Sequence, residues 1–147
     1  MSGYVRSILS EAQEAELVKA IEYAELQTSG EIRIHIEKST GEKTGEQRAK
    51  TVFGKLDMHK TAEKNGVLFY LAVEDRVLAL WAGEGIYQKV PEGFWNDIVA
   101  TVIAEFKQSH FSEGLIAGVR MAGEALGQYF PRRHDDENEL SNEISKG

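Results

Sequence analysis

Apolar residues recur along this chain with two different periods. Leu17, Ile21 and Ala24 follow one another at i, i+4 and i+7, the stripe of an amphipathic helix. Ser10 and Gln13 have capping-box spacing ahead of that stripe, and Leu9 stands where a staple residue would. The stripe fades at Gln27-Thr28-Ser29-Gly30, where Gly30 can end the helix and turn the chain. From Glu31 to Glu37 the period becomes two: Ile32, Ile34 and Ile36 alternate with Arg33, His35 and Glu37. Such alternation predicts a half-buried strand, because it cannot form one face of a helix.

After a polar loop over 38–45, Ala49, Val52, Phe53 and Leu56 predict a helix from about Glu46 to Leu56. Residues 66–73, Gly-Val-Leu-Phe-Tyr-Leu-Ala-Val, are almost continuously apolar, as in a strand covered on both faces. Glu74-Asp75-Arg76 breaks the run and Val77–Ala82 resumes it, predicting an antiparallel hairpin. The first two strands are separated by enough chain for a helical crossover, which makes them parallel. Phe94, Ile98, Val102 and Phe106 then mark one helix, and Leu115, Val119, Ala122 and Leu126 a last long one capped by Ser112. Gly114, Gly118 and Ala122 put small residues at four-residue spacing on it, which suits tight packing against a neighbour. The fold class that follows is α/β, with helices packed on a mixed, mostly parallel sheet that carries one antiparallel hairpin. Residues 1–130 form a single domain, and 131–147 a polar tail with acidic residues at Asp135-Asp136-Glu137-Asn138-Glu139. Leu140 and Ile144 give that tail one small apolar contact through which to dock.

Composition narrows function without naming it. With 147 residues the chain suits one domain with a sizeable core. The absence of cysteine removes disulfides, thiolate metal sites and cysteine nucleophiles. A formal net charge of -7 disfavours nucleic acid and anionic membrane as partners. No apolar run reaches the ~20 residues of a membrane span, and the first six residues lack signal-peptide character, so a cytoplasmic location is expected.

Common catalytic motifs are missing or broken. Gly41-Glu42-Lys43-Thr44 lies between a strand and a helix, as a phosphate loop would, but Glu42 puts a carboxylate where phosphate should sit. There is no G-x-S-x-G elbow. His35, His59, His110 and His134 are scattered, and His35, on the polar side of its strand, is expected at the surface. Two oxygen-rich groupings remain, at opposite ends of the sheet. One has Glu31, Asn65-Gly66 and Gly83-Glu84-Gly85; the other has Glu37, Ser39, Thr40, Glu74 and Asp75. Either could hold a hard cation such as calcium or magnesium. The general rule for open α/β sheets favours the second end. Gly83 and Gly85, which allow backbone carbonyls to approach an ion beside Glu84, speak for the first.

Ser29-Gly30-Glu31-Ile32-Arg33, Asn65-Gly66-Val67-Leu68 and Gly83-Glu84-Gly85-Ile86, in this order, resemble the TPM domain family. That family is named for a thylakoid-lumen phosphatase, a photosystem-associated protein and a receptor modulator. Phe94-Trp95 and the glycine-bearing helix Phe111–Gly118 extend the likeness, and Phe130-Pro131 and Asn138-Glu139-Leu140 look like a branch of small stand-alone bacterial members. The resemblance implies a three-layer α/β/α sandwich around that mixed, mostly parallel sheet with its antiparallel hairpin, in agreement with the elements above, and a divalent-cation site in a surface groove. Carried over residue by residue, it favours Glu31, Asn65 and Glu84 as metal ligands. For the plant relative it implies acid phosphatase activity, in which a metal would activate water and Thr61 or Lys64 would contact phosphate. Lys64 stands where relatives often carry Asp, which removes one ligand. Two functions are therefore expected. The first is a divalent-cation-binding TPM-like domain serving as an interaction or stress-related module, with a protein partner and weak or no catalysis. The second is a metal-assisted phosphomonoesterase.

Overall fold

The computed structural model describes residues 3–132 and 141–147. The elements are α1 (Gly3–Arg6), α2 (Glu11–Glu25), β1 (Glu31–Glu37), α3 (Gly45–Lys55), β2 (Gly66–Ala72), β3 (Val77–Ala82), α4 (Glu84–Tyr87), α5 (Phe94–Phe106), α6 (Phe111–Tyr129) and β4 (Ser145–Lys146). A 3-10 turn, Met58–Lys60, joins α3 to β2. The strands lie in the order β3-β2-β1-β4. β1 runs parallel to β2 with Glu31 opposite Gly66, and β2 runs antiparallel to β3. β4 adds parallel to the far side of β1 at His35 and Ile36.

Alternation along the strands sorts the core into two unequal parts. Ile32, Ile34, Ile36, Val67, Phe69 and Leu71 face the layer of α2, α5 and α6, where they meet Leu17, Ile21, Ile98, Val102, Leu115 and Leu126. The opposite face carries Leu68, Tyr70 and Ala72 against Ala49, Val52 and Phe53 of α3 and Met58. Helices on both faces explain why β2 is buried at every position. The predicted three-layer α/β/α sandwich with its parallel pair and antiparallel hairpin is the architecture observed.

Side-chain capping sets the starts of α2 and α3. Ser10 Oγ accepts from Gln13 N at 3.1 Å while Gln13 Oε1 accepts from Ser10 N at 2.9 Å, closing the expected capping box. Thr44 and Gln47 repeat this arrangement ahead of α3. Sequence reasoning passed over that pair and started the helix one residue downstream, at about Glu46. The last helix begins one residue before Ser112; its cap position is His110, and the Ser112 hydroxyl donates to Glu113 Oε1 instead. Likewise α2 stops at Glu25, before Gly30 is reached; Gly30 is packed against Leu126, leaving 2.7 Å where a Cβ would stand. The short elements α1, α4 and β4 carry too few residues for a period and were not foreseen. β1 is also more deeply enclosed than a half-buried strand, with only Arg33 partly exposed. Ile144 is buried and packs into the larger core, as its spacing suggested. Leu140, His134 and the Asp135–Glu139 run lie outside the described residues.

Candidate functional site

The end of the sheet where β1 and β2 begin gathers the three predicted segments through its backbone. Glu31 N donates to Asn65 O at 3.3 Å, Gly83 N to Gly66 O at 2.8 Å, and Gly85 N to Lys64 O at 2.8 Å. The glycines around Glu84 are needed for this approach: a Cβ on Gly83 would lie 2.4 Å from Lys64 O, and one on Gly85 2.2 Å from Glu63 O. Lys64 takes a left-handed conformation, φ 55°, to present both carbonyls.

The side chains behave differently from one another. Glu31 and Asn65 are each 1% exposed, whereas Glu84 is exposed on the first turn of α4. Asn65 Nδ2 donates to Ser29 Oγ and to Glu63 Oε2, both at 3.3 Å, but its Oδ1 is buried without a hydrogen-bond partner. The Thr61 hydroxyl is in the same state. Lys64 Nζ donates to the His59 carbonyl at 2.9 Å.

A residue not singled out from sequence joins this end. Glu25, the last residue of α2, is 5% exposed and accepts from Ile32 N through Oε2 at 2.7 Å; its Oε1 is buried without a hydrogen-bond partner. Burial and the Glu31 carboxyl, within hydrogen-bonding reach, hold the Glu25 carboxyl well above the usual carboxylate range. The structure thus pairs Glu31 with Glu25, sets Asn65 at the same sheet end through the backbone bond of Glu31 N to Asn65 O, and leaves Glu84 at the rim. The signal was present: Glu25 continues Leu17 and Ile21 at i+8 and i+4, so it lies on the buried stripe. Among the described residues, no three His, Cys, Asp or Glu side chains are grouped so as to hold one metal ion. An ion here would therefore draw on two carboxylates together with amide, hydroxyl or backbone oxygens, a donor set that suits calcium or magnesium better than softer metals.

The opposite end is electrostatically closed. Glu37, at the end of β1, receives Arg48 of α3 in a two-pronged pair, Nε to Oε2 at 2.7 Å and Nη2 to Oε1 at 3.0 Å. The Tyr70 hydroxyl also donates to Oε2, and His35 Nε2 lies 3.0 Å from Oε1. Burial raises the Glu37 carboxyl, but Arg48, Tyr70 and His35 outweigh it and hold the group at about 2. His35 stacks on Tyr70 with ring centroids 5.9 Å apart and is 7% exposed, which overturns its expected surface position. Its enclosure arises because β4 closes over the outer side of β1, and that burial lowers its basicity. Asp75, in the β2–β3 turn, accepts from Ser39 Oγ, Thr40 N and Thr40 Oγ1 through Oδ2, clamping the 38–45 loop. The carboxylates favoured by the general sheet rule thus already have cationic or hydrogen-bonding partners.

The sequence matches the TPM domain over residues 5–125. The chain belongs to the TPM domain family. Among solved structures, this TPM domain is similar to the BA42 protein of the psychrophilic bacterium Bizionia argentinensis, at 45% identity, with 95% of each chain covered and a TM-score of 0.87. The N-terminal domain of a P. gingivalis protein shares the fold at 24% identity, with 86% of this chain and 83% of that one covered and a TM-score of 0.69. The N-terminal domain of the cg2496 protein of Corynebacterium glutamicum does so at 13% identity, with 80% and 74% covered and a TM-score of 0.64. No curated protein matches this TPM domain. None of its described helices is long and apolar enough to cross a membrane.

Proposed function

We propose that this TPM domain is a divalent-cation-binding interaction module with weak or no catalysis, and that its ion sits where β1 and β2 begin. The observation that carries this is the buried Glu25–Glu31 carboxyl pair at the same sheet end as the unpartnered Asn65 Oδ1. Two carboxyls enclosed side by side favour a shared proton or a nearby cation, and Arg132, which lowers the Glu25 carboxyl, leaves that carboxyl still raised. Glu25, Glu31 and Asn65 supply oxygens from within, while Glu84, exposed at the rim on α4, lends the entrance negative charge. Calcium, which takes six to eight oxygens in flexible geometry, would complete its shell with backbone carbonyls and water. Phosphomonoester hydrolysis stays in second place, because Lys64 Nζ is engaged by the His59 carbonyl and the surrounding carboxylates repel a dianionic ester.

Titration of metal-stripped protein with calcium and then magnesium, followed by proton–nitrogen NMR, tests the proposal. Saturable shifts confined to residues around Glu25, Glu31, Asn65 and Glu84 are expected. Glu31→Gln should weaken them at least tenfold, and Glu84→Gln by less. Binding should tighten as pH rises, since the ion displaces a proton from the carboxyl pair. Shifts centred on Asp75, or none at millimolar ion, would defeat the assignment.

A further inference from the structure

Arg33, His35 and Glu37 occupy alternate positions of β1, on the face opposite Ile32, Ile34 and Ile36. β4 sets Ser145 directly across from His35, and its Oγ lies 2.9 Å from His35 Nδ1. The other ring nitrogen, Nε2, lies 3.0 Å from Glu37 Oε1. Each contact fixes the sense of the other. Glu37, held at about 2, is ionised at neutral pH and can only accept. Nε2 therefore carries the ring proton, and Nδ1 offers its lone pair to the Ser145 hydroxyl, which donates. Serine, neutral imidazole and carboxylate stand in the order that activates a hydroxyl nucleophile, an arrangement recognised by geometry on unrelated folds.

The surroundings supply the other parts such chemistry needs. Arg48 and Tyr70 immobilise Glu37 with three donated hydrogen bonds, so the carboxylate in turn fixes the imidazole, whose ring also stacks on Tyr70. Burial lowers the basicity of His35, which keeps the ring neutral, and hence a base, at pH 7. Arg33, the next residue along the same face, is close enough for its charge to act on His35, yet its Nε is buried without a hydrogen-bond partner. An unpaired buried N–H is costly, and an oxyanion formed beside Ser145 would give it an acceptor. Ser145 itself is only partly buried. An open cleft of about 570 Å³ adjoins Glu37, between Arg48, the Lys38–Lys43 loop and Gly147, and has room for a small ester.

We propose that Ser145, His35 and Glu37 form a hydrolytic triad that acts slowly on small carboxylic esters, with Arg33 stabilising the oxyanion. The proposal goes beyond the cation-binding reading and does not depend on it, because Glu25 and Glu31 lie at the other end of the sheet. His35 Nδ1 takes the hydroxyl proton as Ser145 Oγ bonds to the ester carbonyl carbon, and the carbonyl oxygen takes up negative charge facing Arg33. Collapse of that intermediate breaks the bond to the alkoxy oxygen, which leaves as an alcohol with the proton from Nδ1. Water then attacks the acyl carbon and gives its proton to Nδ1; the carboxylic acid departs as Oγ recovers that proton. Glu37 stays ionised and holds Nε2–H throughout, and Arg48 positions Glu37 without touching the substrate. One guanidinium in place of paired backbone donors makes turnover slow.

The test treats the full chain with a fluorophosphonate, which phosphonylates an activated serine with loss of fluoride, and locates the adduct by peptide mass. A single adduct on Ser145 is expected, together with a slow hydrolysis of p-nitrophenyl acetate that the adduct abolishes. Ser145→Ala should lose the label and slow hydrolysis about hundredfold. Arg33→Gln should lower kcat by about tenfold to hundredfold with KM unchanged, as the loss of an oxyanion donor does. Glu37→Gln should also lower kcat at constant KM, the signature of an oriented base rather than of substrate binding. No adduct, an adduct on another residue, or hydrolysis that a folded Ser145→Ala chain retains in full would overturn the inference. The adduct on the wild-type chain decides even where a variant fails to fold.

Discussion

Glu37 shows how far a single carboxylate can depart from its solution behaviour when a strand and a helix close on it. Its folded value of about 2 lies below the ordinary 4.5, so its ionised form stabilises the fold. That contribution is complete above pH 4.5 and disappears as pH falls towards 2, amounting to something on the order of 3 kcal/mol. Urea unfolding between pH 7 and pH 3 should record the loss, and Glu37→Gln should flatten the profile over that interval. Arg48→Met leaves the buried carboxylate without its guanidinium and should cost about 3 kcal/mol at pH 7 by the same measurement. Glu25 works in the opposite sense: its raised pKa stabilises the fold at low pH and ceases to as pH rises through the folded value. Glu25→Gln, which cannot ionise, should stabilise the metal-free protein at pH 8 by about 1 kcal/mol and abolish calcium-induced shifts. Some of this was legible beforehand. The alternation in 31–37 put His35 and Glu37 on one face, and the Leu17–Ile21–Glu25 spacing placed a carboxyl on a buried stripe. What the sequence could not show was the closure of Arg48, Tyr70 and β4 over that face, because those partners come from three separate elements.

Elements were more readable than residues where they are long enough to repeat. One strand and four helices follow from periods of two and 3.6, β2 from its unbroken apolar run, and the hairpin from a three-residue polar break. The two-residue β4 has no period at all and exists only because Ile144 and the His35 edge provide for it. Small residues on α6 offer a sharper check on packing. A Cβ on Gly118 would stand 2.8 Å from both Phe69 Cε2 and Val102 Cγ2, so α6 lies against β2 and α5 at a distance only glycine allows. Gly118→Ala gains helix propensity but must push α6 outward; a net loss of about 1–3 kcal/mol is expected in thermal unfolding. An unchanged or higher melting temperature would mean that the layer is looser than drawn.

At the scale of the whole molecule, helices protect the faces of the sheet while its two rims differ. The β1 rim is filled by β4; the β3 rim, Val77-Leu78-Ala79-Leu80-Trp81-Ala82, is an outer strand without a charge, a proline or a glycine. Strands of that composition, if left open, pair with copies of themselves unless something keeps the copies apart. Here the deterrent is the net charge of -7 at pH 7, which vanishes near pH 5.2. Colloidal stability is therefore set by acidity and salt more than by the melting point: scattering from concentrated samples should peak near pH 5.2 and fall again on either side. Purification and storage well above that value keep the uncharged rim from becoming a seed.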